Sequence, residues 1–132
     1  IAHMLYHDCG LKGLSGISND ARQLLDSDDP RAALAIDAFC HSCAGKVASL
    51  ATGIGGIDGL IFTAGIGEHS APIRANILKR LAWLGAGLDE AANAEGRQII
   101  SSKASAFACY VIPTNEELMI AQHALELIRR PT

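Results

Sequence analysis

Apolar residues recur through the middle of the chain at spacings of four and three. Ile36, Cys40, Cys43, Val47 and Leu50, with Phe39 beside them, predict one long amphipathic helix over residues 31–52. Gly53, Gly55 and Gly56 stop it, and the period then changes. Gly59-Leu60-Ile61-Phe62-Thr63 is a short unbroken apolar run, read as a buried strand, and it feeds a glycine loop, Ala64-Gly65-Ile66-Gly67. Ser70 is placed to cap the next helix, which tolerates Pro72 in its first turn and lines one face with Ile73, Ile77, Leu81 and Leu84. Strand, glycine loop and helix form the central unit.

The flanks follow the same logic. A short helical start at residues 2–7 gives way to a turn-rich stretch punctuated by Gly10, Gly13 and Gly16. Ser18 reads as the N-cap of a helix reaching about Leu25, closed by Asp26-Ser27-Asp28-Asp29-Pro30. Beyond Gly85 and Gly87 the pattern predicts a short helix over 89–95 and two β-like runs, 98–101 and 107–112. A final helix from Thr114 puts Leu118, Ala121, Leu125 and Ile128 on one face and ends at Arg129-Arg130. The class is α/β, and no repeat or linker divides residues 1–132, which read as a single segment.

Composition narrows the function. With 49% apolar and 19% charged residues over 132 positions, the chain is expected to pack a core without disulfides or a structural metal. A net charge of −3 and no basic run longer than Arg129-Arg130 argue against nucleic-acid and anionic-membrane partners. The uncharged stretch between Asp58 and Glu68, like the similar one between Lys46 and Asp58, is far too short to span a bilayer. Cys9, Cys40, Cys43 and Cys109 are unevenly spaced, as expected of reduced thiols in a cytoplasmic protein. The opening Ile1-Ala2-His3-Met4 has neither an initiator Met nor a signal pattern, and the expectation is a piece of a longer protein whose amino-terminal part is absent.

Three places can carry chemistry, each with a plainer alternative. Gly65 and Gly67 allow close backbone approach to a ligand such as a phosphate, or simply make a tight turn. Neither a third glycine at Ser70 nor a Gly-Lys-Ser/Thr sequence is present, so the dinucleotide and P-loop fingerprints are both incomplete. Thr114 and Glu117 fit a capping box, which leaves Glu116 either to bind Mg²⁺ or to stand as a solvated acid at a helix start. Asp20 and Arg22 flank Ala21 as a hydroxyl acceptor and a planar cation suited to a nucleoside, or as ordinary residues of a capped surface helix. Cys40-His41-Ser42-Cys43 has metal-motif spacing, but both sulfurs fall on the apolar face and core packing is favoured.

Taken together, residues 13–22 (GLSGISNDAR), 61–70 (IFTAGIGEHS) and 112–118 (IPTNEEL) resemble the acetokinase family, the acetate, propionate and butyrate kinases, in sequence, order and spacing. The resemblance runs over essentially the whole chain and corresponds to about the last third of a family member. It implies the carboxy-terminal lobe portion of the actin-like, sugar-kinase and Hsp70-type ATPase (ribonuclease H-like) fold. It further implies that Asp20, Ala21 and Arg22 line an adenosine pocket, that Gly65, Ile66, Gly67, Glu68 and His69 contact ATP or ADP, and that Glu116 helps hold Mg²⁺. The parent enzyme is expected to be a homodimer that moves the ATP γ-phosphoryl group reversibly to acetate or a similar short carboxylate. No catalytic residue is expected in this segment, and the segment alone is expected to be inactive. The motif departs from the family at His69, where Asn is usual; a neutral imidazole offers one donor and one acceptor. A nucleotide-binding module without transferase activity is the alternative from another functional class, and a Rossmann dehydrogenase lacks its required motif order.

Overall fold

A computed structural model describes residues 2–4 and 8–129, with Glu116 described in its backbone alone. The predicted helix over residues 2–7 lies partly outside these residues, as does Arg130. In chain order the elements are α1 (Leu11–Ser15), α2 (Ala21–Leu25), α3 (Pro30–Ile54), β1 (Gly59–Phe62), α4 (Ala64–His69), α5 (Ala71–Arg80), α6 (Glu90–Ala94), β2 (Ala108–Val111) and α7 (Glu116–Arg129), with a 3-10 turn at Ala82–Leu84 after α5.

The long helix α3 organises the rest. Asp29 caps it by accepting a hydrogen bond from the Arg31 amide at 2.8 Å, Pro30 opens it, and Gly55, at φ 81°, ends it in the left-handed conformation that favours glycine. Its inward stripe, Ala32, Ala35, Ile36, Cys40 and Ala44, is buried beneath α1, α2 and α5. Leu50, expected on that stripe, is exposed, because toward its end α3 turns the alanines Ala44 and Ala51 inward instead. On α5 and at the residue that ends it, Ile73, Ile77 and Leu81 are buried as predicted, and they meet Leu24 and Ile36 in one core.

The two strands pair in parallel, Gly59 beside Ala108 through Phe62 beside Val111. The expected strand at residues 98–101 is reduced to bridges, Leu88 with Ser101 and Ile99 with Tyr110. β1 is less buried than its apolar run predicted: Phe62 is buried, Leu60 half-buried and Ile61 exposed. The reason is that the described sheet has only these two strands, which leaves part of β1 uncovered. α7 differs most from expectation. Leu118, Ala121, Leu125 and Ile128 all stand in solvent, as does every other described side chain of that helix.

Candidate functional site

Residues 19–26 and 65–72, distant in the sequence, face each other across a cleft of about 1000 Å³. Asp20, Ala21 and Arg22 line one wall, and Gly65, Ile66 and His69 the other. Gly67 and Glu68, expected alongside them, are not on the cleft wall and have other partners.

The first wall is the start of α2. Its cap is Asp20, not Ser18: Asp20 Oδ1 accepts from the Arg22 amide at 2.9 Å, while the Ser18 hydroxyl accepts from the Asp20 amide at 3.0 Å and donates to Gln23 Oε1 at 2.7 Å. A carboxylate two residues before a free helical N–H is the stronger acceptor, so the helix begins later than the serine predicted. Arg22 Nη2 also donates to Asp20 Oδ2 at 3.0 Å. These hydrogen bonds from Arg22 hold the Asp20 carboxyl below the ordinary carboxylate range, and the same pairing raises the guanidinium.

On the second wall the expected glycine loop is a turn of helix, α4. The chain leaves β1 through Ala64 at φ 58°, so an alanine, not a glycine, takes the left-handed conformation. A Cβ on Gly67 would lie 3.1 Å from the Phe62 carbonyl carbon, so this glycine lets α4 fold back on the strand. A Cβ on Gly65 would meet nothing within 4 Å, and this residue faces the cleft. The helix that follows is not capped by Ser70: the serine is buried, its hydroxyl makes no capping bond and has no partner among the described residues.

Beneath α4 lies Arg74, only 2% exposed. Its Nη1 donates to the carbonyls of Gly67 (2.9 Å) and Glu68 (2.8 Å), and its Nε and Nη2 donate to Asn93 Oδ1 (2.8 Å) and the Asn93 carbonyl (2.7 Å). Asn93 Nδ2 donates in turn to the Ala71 carbonyl at 3.0 Å. Burial lowers the Arg74 pKa, and four neutral oxygens compensate for its lost hydration.

Glu68 turns away from the cleft. Its Oε1 accepts from both the amide and the hydroxyl of Thr114, each at 2.9 Å, and these bonds hold its carboxyl below the ordinary range. Thr114 is therefore not the cap of α7. Asn115 takes that place, its Oδ1 accepting from the Leu118 amide at 2.9 Å, and the predicted Thr114–Glu117 capping box does not form. Glu116 is the first residue of α7, and its side chain lies outside the described residues. Cys40 is buried and Cys43 half-buried, which fits packing, and burial raises both thiols.

Sequence reasoning missed Asn19, Leu25, Asp26, Ser70 and Pro72 on the cleft wall, and missed Arg74 and Asn93 behind it. A signal for Arg74 was present: a cation between Ile73 and Ile77, inside an otherwise apolar helix face, must be either badly placed or fully bonded.

The profile of the acetokinase family matches residues 1–122. Acetate kinase of Rhizobium meliloti is 56% identical over 131 residues, which is 99% of this chain and 33% of that protein. Acetate kinase of Nitrobacter hamburgensis is 53% identical over 124 residues, 94% of this chain and 31% of the relative. Among solved structures, a propionate kinase from Francisella tularensis superposes with a TM-score of 0.85 at 44% identity, over 92% of this chain and 32% of the other. Porphyromonas gingivalis acetate kinase superposes with a TM-score of 0.86 at 29% identity, over 97% of this chain and 34% of the other. The fold is thus that of part of an actin-like ATPase lobe, as the resemblance implied, and the chain spans about a third of the length of its relatives.

Proposed function

The chain belongs to the acetokinase family, and from that premise we propose that residues 1–132 are the nucleotide-holding, carboxy-terminal part of an ATP-dependent carboxylate kinase. In the complete enzyme an oxygen of acetate, or of a similar short acid, attacks the γ-phosphorus of ATP, and the bond to the β-phosphate oxygen breaks. ADP and an acyl phosphate result, and the step is reversible. No general base is needed, because the acid is already ionised at neutral pH. The enzyme is read as a cytoplasmic homodimer acting on small molecules. Its partners include neither nucleic acid nor membrane.

The observation that carries the reading is the cleft itself. It brings Asp20, Ala21 and Arg22 opposite Gly65, Ile66 and His69, two groups that no local fold requirement would pair. Arg22 supplies a planar cation for a base, Asp20 a carboxylate for ribose hydroxyls, and Gly65 a bare backbone where a side chain would intrude. Gly67 and Glu68 support this wall from behind. Glu116, at the start of α7, is the residue we assign to Mg²⁺, which would neutralise charge on the phosphates. The exposed apolar residues of α7 and β1 support the further reading that the rest of the enzyme covers them. The propionate kinase similarity keeps a longer acid open as the acceptor.

Trapping acyl phosphate as a hydroxamate, with ATP, Mg²⁺ and either acetate or propionate, tests the proposal in the complete enzyme. Glu116→Gln is expected to cut turnover severely and raise the Mg²⁺ requirement while folding is retained, since the amide keeps shape and loses charge. Normal metal dependence in that variant would remove Glu116 from the metal. ATP binding without any trapped product would favour the module that holds nucleotide but does not transfer it. The 132-residue chain alone is expected to form no acyl phosphate.

A further inference from the structure

Where β2 gives way to α7, the backbone has a bonding problem. In a parallel pair, each strand offers amides to its neighbour at every second residue. The Ile112 amide donates to the Phe62 carbonyl at 2.9 Å, so the next amide on that side belongs to Thr114 and its ladder partner would be Ala64. Pro113, between them, has no N–H to offer. But β1 has ended by then: Ala64 is at φ 58° and opens α4, so its carbonyl has left the ladder.

Glu68 takes the vacant place. Its Oε1 receives the Thr114 amide and the Thr114 hydroxyl, both at 2.9 Å, and Thr63 Oγ1 donates to the Ile112 carbonyl at 2.8 Å one step earlier. The side chains of residues 63 and 68 therefore continue the sheet contact past the end of the sheet. Thr114 is two residues before Glu116, and the intervening Asn115 caps α7. The α4 turn, one wall of the cleft, and the first turn of α7 are thus tied through a single carboxylate oxygen.

We propose that Glu68 is a positioning residue: its carboxylate fixes the first turn of α7 against α4, so that the group assigned to the metal is held in register with the nucleotide wall. This rests on the function proposed above, and it replaces the direct nucleotide contact that the sequence motif implied for Glu68. The chemistry separates the two roles. A glutamine keeps an oxygen in the same place and can accept both Thr114 bonds, whereas a residue acting by charge on nucleotide or metal would not survive that change.

The test compares Glu68→Gln, Glu68→Ala and Thr114→Val in the full-length enzyme by steady-state kinetics over a Mg²⁺ series, with amide exchange across residues 112–120 as a second readout. Glu68→Ala should lower kcat by about tenfold to a hundredfold, the scale of a misplaced group near the reacting atoms. It should also raise the Mg²⁺ requirement and speed exchange at the start of α7, with the KM for ATP at saturating Mg²⁺ little changed. Glu68→Gln should stay within about threefold of the unsubstituted enzyme and keep its slow exchange, since one hydrogen-bonding oxygen remains. Thr114→Val should fall between them, and combined with Glu68→Ala it should add little further loss. Slow exchange retained in Glu68→Ala would show that no tie exists. Faster exchange with unchanged kinetics would show a tie of no consequence, and a glutamine variant as impaired as the alanine one would return Glu68 to a direct charge role. Any of these overturns the proposal while activity of the unsubstituted enzyme leaves the function standing. An unsubstituted enzyme that traps no acyl phosphate would instead overturn the function, and this inference with it.

Discussion

The two walls of the cleft hold the groups they present in different ways. The α4 wall is held from inside: Arg74, 2% exposed, grips the carbonyls of Gly67 and Glu68, Asn93 grips Arg74, and Glu68 reaches across to Thr114. The α2 wall is anchored in the core by Ala21 and Leu24, but the polar side chains it offers the cleft are held only by an Asp20–Arg22 pair whose arginine side chain is 83% exposed. Exposed pairs are screened by water and salt and fix little, whereas a buried cation must be fully bonded or the fold suffers. The difference follows from what each wall offers a ligand. α4 presents backbone, which works only if its position is fixed. α2 presents long side chains, which can adjust to a ring or a sugar after it arrives.

The contrast should break most dramatically at Arg74. Arg74→Met keeps much of the volume but takes the guanidinium donors from four oxygens, the two of Asn93 buried and the carbonyls of Gly67 and Glu68 half-buried, and a loss of about 3–5 kcal/mol is expected, measured by denaturant unfolding. A change near zero would mean that the α4 wall is not anchored there at all. The glycines give the next test. In Gly67→Ala the new methyl meets the Phe62 backbone at 3.1 Å, and the clash should outweigh the better helix propensity for a net cost of about 1 kcal/mol. Gly65→Ala meets nothing, so stability should rise by about 0.5–1 kcal/mol while nucleotide affinity falls. Two glycines two positions apart would then answer to different demands, one from the fold and one from the ligand. Thermal melts with ADP titrations would separate them.

These differences mark where the sequence stopped being readable. The long helix and α5 were legible because each repeats a burial pattern over several residues, as Ile73, Ile77 and Leu81 do, and the two strands as short apolar runs whose parallel pairing the sequence did not show. The cleft residues were legible only as short motifs, and only their combination was specific. What the pattern hid were choices between near-equal local partners. Ser18 and Asp20 are both good caps, as are Thr114 and Asn115, and in each case the residue actually used depends on a hydrogen bond made elsewhere. The glycine turn was read as a loop because nothing local shows that Ala64 takes the strained conformation and frees Gly65 and Gly67 for helix. The exposure of α7 could not be read at all, since its apolar face is real and none of the described residues covers it.

The smallest expected effect is on the α2 wall, and it concerns a proton. Hydrogen bonds from Arg22 keep Asp20 below its ordinary value of 3.8, so the folded state favours the carboxylate more than the unfolded chain does. Whatever stability this gives is therefore present above the unfolded pKa and is lost as pH falls through the lower, folded one. At neutral pH the pair should be fully formed and pH-insensitive. Following the Asp20 carboxyl carbon by NMR, Arg22→Ala should move its titration upward toward 3.8 without changing the melting temperature at pH 7, because so exposed a pair holds little of the fold. ADP affinity should fall in the same variant. An unmoved titration would mean that the Asp20 carboxyl is set by something other than the arginine, and a large drop in melting temperature would mean that this exposed pair carries part of the fold beside the buried Ala21 and Leu24.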